Sequence, residues 1–180
     1  AVAVEKGLRL PIVYNTSSYD SLKSLELMDG LVDIYMPDFK FWSPKTSELL
    51  CKARDYPDVT KTVIKEMHRQ VGDLKFDPNG LAKRGVLVRH LVMPGYVDEA
   101  KEIMTFLAEQ VSKDTYVHIM EQYRPTFKVG EGEKRSRHGF TKYEDIDRPV
   151  TDSEMELVRQ HALAVGLWQF EDNEWLSFEK

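Results

Sequence analysis

The sequence predicts an α/β protein built mainly from parallel βα units, and three observations carry that expectation. Short β-branched runs alternate with longer stretches of helical periodicity, the pattern of strands joined by crossover helices. One run, Gly85 to Pro94, is nearly continuous Val and Leu, as expected of a strand covered on both faces. The residues just after each apolar run are polar, and parallel β/α folds place their ligands outside the carboxyl ends of their strands.

Taken in order, Leu10 to Tyr14 is the first expected strand. Asp20 stands where it can cap a helix carrying Leu22, Leu25 and Met28, which stops at Asp29-Gly30 because glycine accepts the left-handed conformation. Val32 to Met36 reads as the second strand. Ser43-Pro44 opens a helix through Leu49, Leu50 and Cys51, with proline where no backbone donor is needed. The next helix sets Val59, Val63, Ile64, Met67 and Val71 on one face and ends before Gly72. After the Gly85 to Pro94 strand, Val97, Ala100, Ile103, Met104, Leu107 and Val111 share a helical face, and Tyr116 to Met120 is the fourth strand.

A polar connection follows, charge-rich from Gly130 to Gly139 and expected to be exposed. Thr151-Asp-Ser-Glu154 is a capping box. It opens a helix with an apolar stripe of Met155, Val158, Ala162 and Val165, stopped by Gly166. The tail from Trp168 to Trp175 is expected to pack on that helix. The organisation is therefore a βα body over 1–127, a polar connection over 128–149, and a terminal helix and tail over 150–180.

The 180 residues, 42% hydrophobic, suffice for one sizeable core. Lys and Arg number 25 against 30 Asp and Glu, a net charge of −5 with both signs interspersed, which argues against a dedicated nucleic-acid binder. No apolar run approaches the ~20 residues of a membrane span, and Ala1 to Gly7 lack a signal peptide's apolar stretch, so no membrane partner and a cytoplasmic location are expected. Cys51 is the single cysteine. It excludes an internal disulfide or a multi-cysteine metal site within this chain, and its apolar helical setting suggests a buried, inert thiol.

The strand ends supply the candidate site. Asn15-Thr16-Ser17-Ser18 follows the first strand, Asp38 and Lys40 the second, and Gln122-Tyr123-Arg124 the fourth, while Arg89-His90 lies within the third. Asp38 and Lys40 are two apart and share a face of an extended chain, as an ion pair or as holders of a ligand carboxylate or phosphate. Asn15 and Thr16 either cap the following helix or donate to a polar ligand. Arg89 and His90 face opposite ways on a regular strand; Arg89 is assigned to the ligand side and His90 to a satisfied position under a helix. His68, His118, His138 and His161 show no metal-ligand spacing, and no Walker loop, G-x-G-x-x-G or G-x-S-x-G string is present.

Four strings in order, Leu-Pro-Ile-Val-Tyr-Asn-Thr-Ser-Ser-Tyr (10 to 19), Val-Asp-Ile-Tyr-Met-Pro-Asp-Phe-Lys (32 to 40), Val-Arg-His-Leu-Val-Met-Pro-Gly (88 to 95) and Met-Glu-Gln-Tyr-Arg-Pro (120 to 125), resemble the pyruvate formate-lyase activating enzyme-like branch of the radical S-adenosylmethionine superfamily. Glu66-Met-His-Arg-Gln-Val-Gly-Asp-Leu74 and the last helix share the likeness, which covers nearly all of residues 8 to 167.

The resemblance implies the carboxyl-terminal portion of a partial (β/α)6 TIM-like barrel. It implies an oxidoreductase in which a [4Fe-4S] cluster cleaves S-adenosylmethionine to a 5′-deoxyadenosyl radical that abstracts hydrogen. A glycyl radical partner and an electron donor such as flavodoxin or ferredoxin are implied with it. By the same likeness, Asn15, Thr16, Ser17, Asp38 and Lys40 match positions near the cofactor's methionine carboxylate and a monovalent cation, with Asn15 in place of an aspartate. Gln122, Tyr123 and Arg124 match a cofactor-side strand end, with Arg124 where activating enzymes carry histidine near the cofactor, and Arg89 matches a substrate-side arginine. The chemistry needs three cysteine thiolates on the cluster. These are expected upstream, in a longer protein of which this chain, opening on Ala-Val-Ala-Val, is a piece. The alternative expectation is a cluster-free binding or interaction module that keeps the barrel half as a scaffold. A phosphate-binding β/α barrel would carry a glycine-rich loop, which is not found.

Overall fold

A computed structural model describes residues 2–126, 129–130 and 143–170. After a short helix α1 (Val2–Glu5), the order is β1 (Val13–Thr16), α2 (Leu22–Met28), β2 (Ile34–Pro37), α3 (Pro44–Cys51), α4 (Tyr56–Val71), β3 (Lys75–Phe76), β4 (Ala82–Leu91), α5 (Val97–Phe106), β5 (Tyr116–Met120) and α6 (Asp152–Ala164). A π-helical segment, Leu107–Val111, continues α5. The result is an α/β fold with an open, mostly parallel sheet of five strands.

β1 pairs with β2, β2 with β4 and β4 with β5, all parallel; β3 pairs antiparallel with the first residues of β4. This fifth strand was not expected from the sequence, because two residues joined to β4 by a tight turn carry no periodicity to read. The turn is held by Asp77, whose side chain accepts from the amides of Asn79 and Leu81. Gly85 sits where β4 passes that segment, with φ +128° and only 2.3 Å between the place a Cβ would occupy and the Asp73 carbonyl oxygen.

Several expected boundaries move for local reasons. The first strand is Val13–Thr16 rather than Leu10 to Tyr14, with Leu10 exposed, because pairing to β2 begins only at Val13↔Ile34. The second is Ile34–Pro37. Ser21, not Asp20, caps α2, accepting from the Ser24 amide; Asp20 instead accepts from Tyr14 and Thr16. Cys51 is exposed, since α3 turns Thr46 and Ser47 inward instead of its Leu49–Cys51 end. Of the tail, residues 168–170 run beside β5, the Val117 amide donating to the Gln169 carbonyl, and Phe170 packs against the core. Residues 171–180, and most of the charged stretch from Gly130 to Gly139, lie outside the described residues.

The helices and the strand over Tyr116 to Met120 otherwise follow the sequence pattern. α6 has the full capping box of Thr151 and Glu154. The core lies between the sheet and one layer of helices and includes Leu25, Tyr35, Phe39, Ile64, Met67, Val86, Val88, Ile103 and Met104. The other face of β4 presents half-buried Leu87, Arg89 and Leu91, so among the described residues only one face of this strand is fully covered. No described helix is long and apolar enough to cross a membrane.

Candidate functional site

Alternation along paired strands decides which side chains meet. Tyr35 and Phe39 in and after β2, with Val86, Val88 and His90 in β4, are buried on the helix side. Asn15, Asp38 and Arg89 therefore fall on the opposite, open face. The carboxyl ends are laced together beyond the regular ladders: the Asp38 amide donates to the Thr16 carbonyl at 2.9 Å and the Phe39 amide to the Arg89 carbonyl at 2.9 Å. That register sets three strand ends level and brings four of the predicted residues into one row.

The row is held by charge. The Arg89 guanidinium donates through Nη2 to Asn15 Oδ1 at 2.9 Å and through Nε to Asp38 Oδ1 at 2.8 Å. Lys40 Nζ donates to the other Asp38 oxygen at 2.5 Å. Asp38 is the most enclosed, its side chain 14% exposed against 25% for Arg89 and 42% for Lys40. Two cations and one carboxylate leave the row with one net positive charge, and its most accessible cation is Lys40.

Residues behind the row fix its backbone. The Tyr56 hydroxyl donates to the Asp38 carbonyl at 2.8 Å and accepts from the Lys40 amide at 3.1 Å. Burial pushes its pKa up, so it remains a neutral phenol. Glu99 on α5 accepts from the amides of Trp42 and Ser43 at 2.9 and 3.0 Å and from the Thr46 hydroxyl. It thereby anchors the chain leaving Lys40. Neither Tyr56 nor Glu99 was expected from the sequence, because their partners, mostly backbone groups, are more than fifteen residues away and no spacing signals them.

The remaining predicted residues separate into three environments. Thr16 faces the helices and donates to Asp20 at 2.6 Å, while its oxygen accepts from the Ser18 amide. Ser17 is exposed, and Ser18 is buried in the left-handed conformation at φ 64°. His90 is buried under the helices, its Nδ1–H donating to the Phe39 carbonyl at 2.7 Å, but its Nε2 has no hydrogen-bond partner among the described residues, so the expected satisfied position is met on one ring nitrogen and not on the other; burial lowers its pKa and keeps it neutral.

Gln122, Tyr123 and Arg124 leave β5. Gln122 is exposed, and the Tyr123 hydroxyl donates to the Ile146 carbonyl at 3.0 Å. Tyr123 and Arg124 line a cleft of about 390 Å³ with Phe41, Leu50, Met93 and Ile146, and none of Asn15, Asp38, Lys40 and Arg89 lines it. The structure thus divides the predicted set between a charged row on the open sheet face and a separate, largely apolar cleft. Among the described residues no group of three or more His, Cys, Asp or Glu side chains is placed to hold a metal ion.

Fold and site together define an α/β protein whose polar groups converge at the carboxyl ends of parallel strands. The chain is 32% identical over 148 residues to an uncharacterized protein of Methanocaldococcus jannaschii, an alignment that takes in 82% of this chain and 36% of that protein. The chain therefore spans little more than a third of the length of this curated relative. No protein-family model matches the chain, and no solved structure matches it.

Proposed function

We propose that this chain is the carboxyl-terminal portion of a radical S-adenosylmethionine enzyme of the activating-enzyme type, and that its sheet supplies the later strands of a partial (β/α)6 barrel. The observation that carries the reading is the row Asn15, Arg89, Asp38 and Lys40, held across three strand ends on the open sheet face where a barrel would bind its ligand. S-adenosylmethionine bound to a [4Fe-4S] cluster supplies radical chemistry when reduced. The chain's single cysteine, exposed on α3, does not fit as a ligand set for that cluster, and no step through it is assigned to these residues.

What the row offers is recognition of a carboxylate. Lys40 is the accessible ammonium, and an incoming carboxylate exchanges with Asp38 for its donors. Arg89, tied to both Asn15 and Asp38, holds the register, and Asp38 keeps a second cation from being left unpaired when Lys40 turns away. The pinned backbone at Asp38, Lys40 and Trp42 means that this exchange moves a side chain and not the strand end.

The test uses the full-length protein, reconstituted anaerobically with iron and sulfide and supplied with reduced flavodoxin or ferredoxin. Formation of 5′-deoxyadenosine is expected, and Lys40→Ala should raise the KM for S-adenosylmethionine by about tenfold, the size of one charge-assisted hydrogen bond, with the cluster absorbance unchanged. A cluster-loaded protein that neither binds S-adenosylmethionine nor releases 5′-deoxyadenosine would leave the second reading, a cluster-free binding module. That reading draws on the same row, whose charges are already paired with one another.

A further inference from the structure

The cleft beside the row has a chemistry of its own. It lies where the chain leaves β2, β4 and β5, and apolar side chains of Phe41, Leu50, Met93 and Ile146 make much of its wall. Its volume, about 390 Å³, falls at the small end of the range of small-molecule clefts, roughly 300–1,000 Å³. Two cations border it, Arg124 and Lys52, and no carboxylate does among the described lining residues, although acidic residues outnumber basic ones in the sequence.

The two cations differ in their freedom. Lys52 Nζ is engaged with the last carbonyls of α3, those of Glu48 and Leu49, at 3.3 and 3.2 Å. Arg124 has no hydrogen-bond or ion-pair partner among the described residues. Arg69, Arg148 and Arg89 are by contrast each paired, with Glu66 and Asp29, with Glu154 and with Asp38. A planar guanidinium at the edge of an apolar cleft is a fork for a carboxylate, with a hydrophobic floor for whatever carries it.

Two of the cleft's walls are held by the protein's own hydrogen bonds. Phe41 immediately precedes the two amides fixed by Glu99, and the Tyr123 hydroxyl ties the segment bearing Arg124 to the Ile146 carbonyl. A ligand would not have to order these two segments, which spares part of the entropy cost of loop ordering.

We propose that this cleft binds a small molecule with a carboxylate on an apolar body, the carboxylate on Arg124 and the body against Phe41, Leu50, Met93 and Ile146. The site is distinct from the charged row and does not rest on the cofactor reading. If the full-length protein makes no 5′-deoxyadenosine, the cleft proposal still stands or falls on its own measurement.

That measurement is calorimetric titration of the full chain with hexanoate, hexanamide, acetate and inorganic phosphate. Hexanoate should bind at least about tenfold more tightly than each of the other three, since hexanamide lacks the charge and acetate and phosphate lack the apolar body. Arg124→Gln should remove the preference for hexanoate over hexanamide, Arg124→Lys should keep part of it, and Lys65→Gln, at a lysine that does not line the cleft and donates to Gln110, should leave it unchanged. Equal affinity for hexanoate and hexanamide would overturn the proposal. So would phosphate or acetate binding as tightly as hexanoate, no binding by any of the four, or a preference that survives Arg124→Gln in a protein of unchanged melting temperature.

Discussion

The two ion pairs on Asp38 should differ in strength in the order opposite to their lengths. Lys40 Nζ is 2.5 Å from Asp38 Oδ2, while Arg89 stands at 2.6 Å through Nη2 and 2.8 Å through Nε from Oδ1. The Lys40 side chain is 42% exposed, so water competes for its ammonium; exposed pairs of this kind contribute about 0.2–1 kcal/mol. Arg89 is 25% exposed, donates to Asp38 Oδ1 through Nε with Nη2 also close to that oxygen, and is braced by Asn15, and a charge-assisted bond in such a setting contributes about 1.5–3 kcal/mol. The expected coupling energies are therefore about 2 kcal/mol for Asp38 with Arg89 and under about 1 kcal/mol for Asp38 with Lys40. Double-mutant cycles built from Asp38→Asn, Arg89→Gln and Lys40→Gln, followed by urea unfolding at pH 7, measure both. Raising the salt to about 1 M, where the screening length falls to about 3 Å, should abolish the Lys40 coupling and leave most of the Arg89 coupling. A Lys40 coupling equal to or larger than that of Arg89 would refute the reasoning, because it would make Lys40 a structural cation rather than one free to exchange onto a ligand.

Glu154→Gln should destabilise the protein by about 1–2 kcal/mol at neutral pH, because its carboxylate caps α6 at Thr151, accepts from the Gly95 amide and pairs with both terminal nitrogens of Arg148. The Arg148 hydrogen bonds hold the Glu154 pKa well below the usual carboxylate range, so this stability is present above the unfolded value of about 4.3 and is lost as pH falls from there toward the folded value. Urea titrations across pH 2 to 7 should show wild type and variant converging on the acid side; a constant gap would contradict the assignment. Gly85→Ala should cost at least about 2 kcal/mol, since φ is +128° and the new Cβ would lie 2.3 Å from the Asp73 carbonyl oxygen. A melting temperature within a degree of wild type would show that the close approach relaxes freely.

Much of the fold was legible because its helices bury one continuous face. In α4 the Val63, Ile64, Met67 and Val71 stripe fixes type, face and end together, and Gly72 supplies the stop. Boundaries set by pairing rather than by periodicity were not legible. Leu10 and Ile12 look like strand residues, yet regular pairing to β2 starts at Val13, and both stay exposed. The β3 hairpin and the passage of residues 168–170 beside β5 are long-range pairings by segments too short to show a pattern. Asp20 and Ser21 are both good capping residues, and the choice between them depends on Tyr14 and Thr16, whose hydroxyls take up the Asp20 carboxylate.

The site divides along the same line. That Asp38 and Lys40 would share a face follows from the two-residue period of an extended chain, and the opposition of Arg89 to His90 follows from it too. That Arg89 would reach Asp38 and Asn15 depends on the stagger of three strands, which backbone hydrogen bonds from Asp38 and Phe39 set and which no single strand encodes. Grouping Arg124 with the row by its place at a strand end fails for a related reason. The chain leaving β5 is tied by Tyr123 to Ile146, and that tie places Arg124 on the apolar cleft lined by Phe41 and Met93. A strand end therefore fixes the level at which a residue stands, whereas the face it serves is decided by what pins the chain one or two residues further on. Arg89, within a ladder, serves the row; Arg124, beyond one, serves the cleft. One set of strand ends thus bounds both a charged row and an apolar cleft.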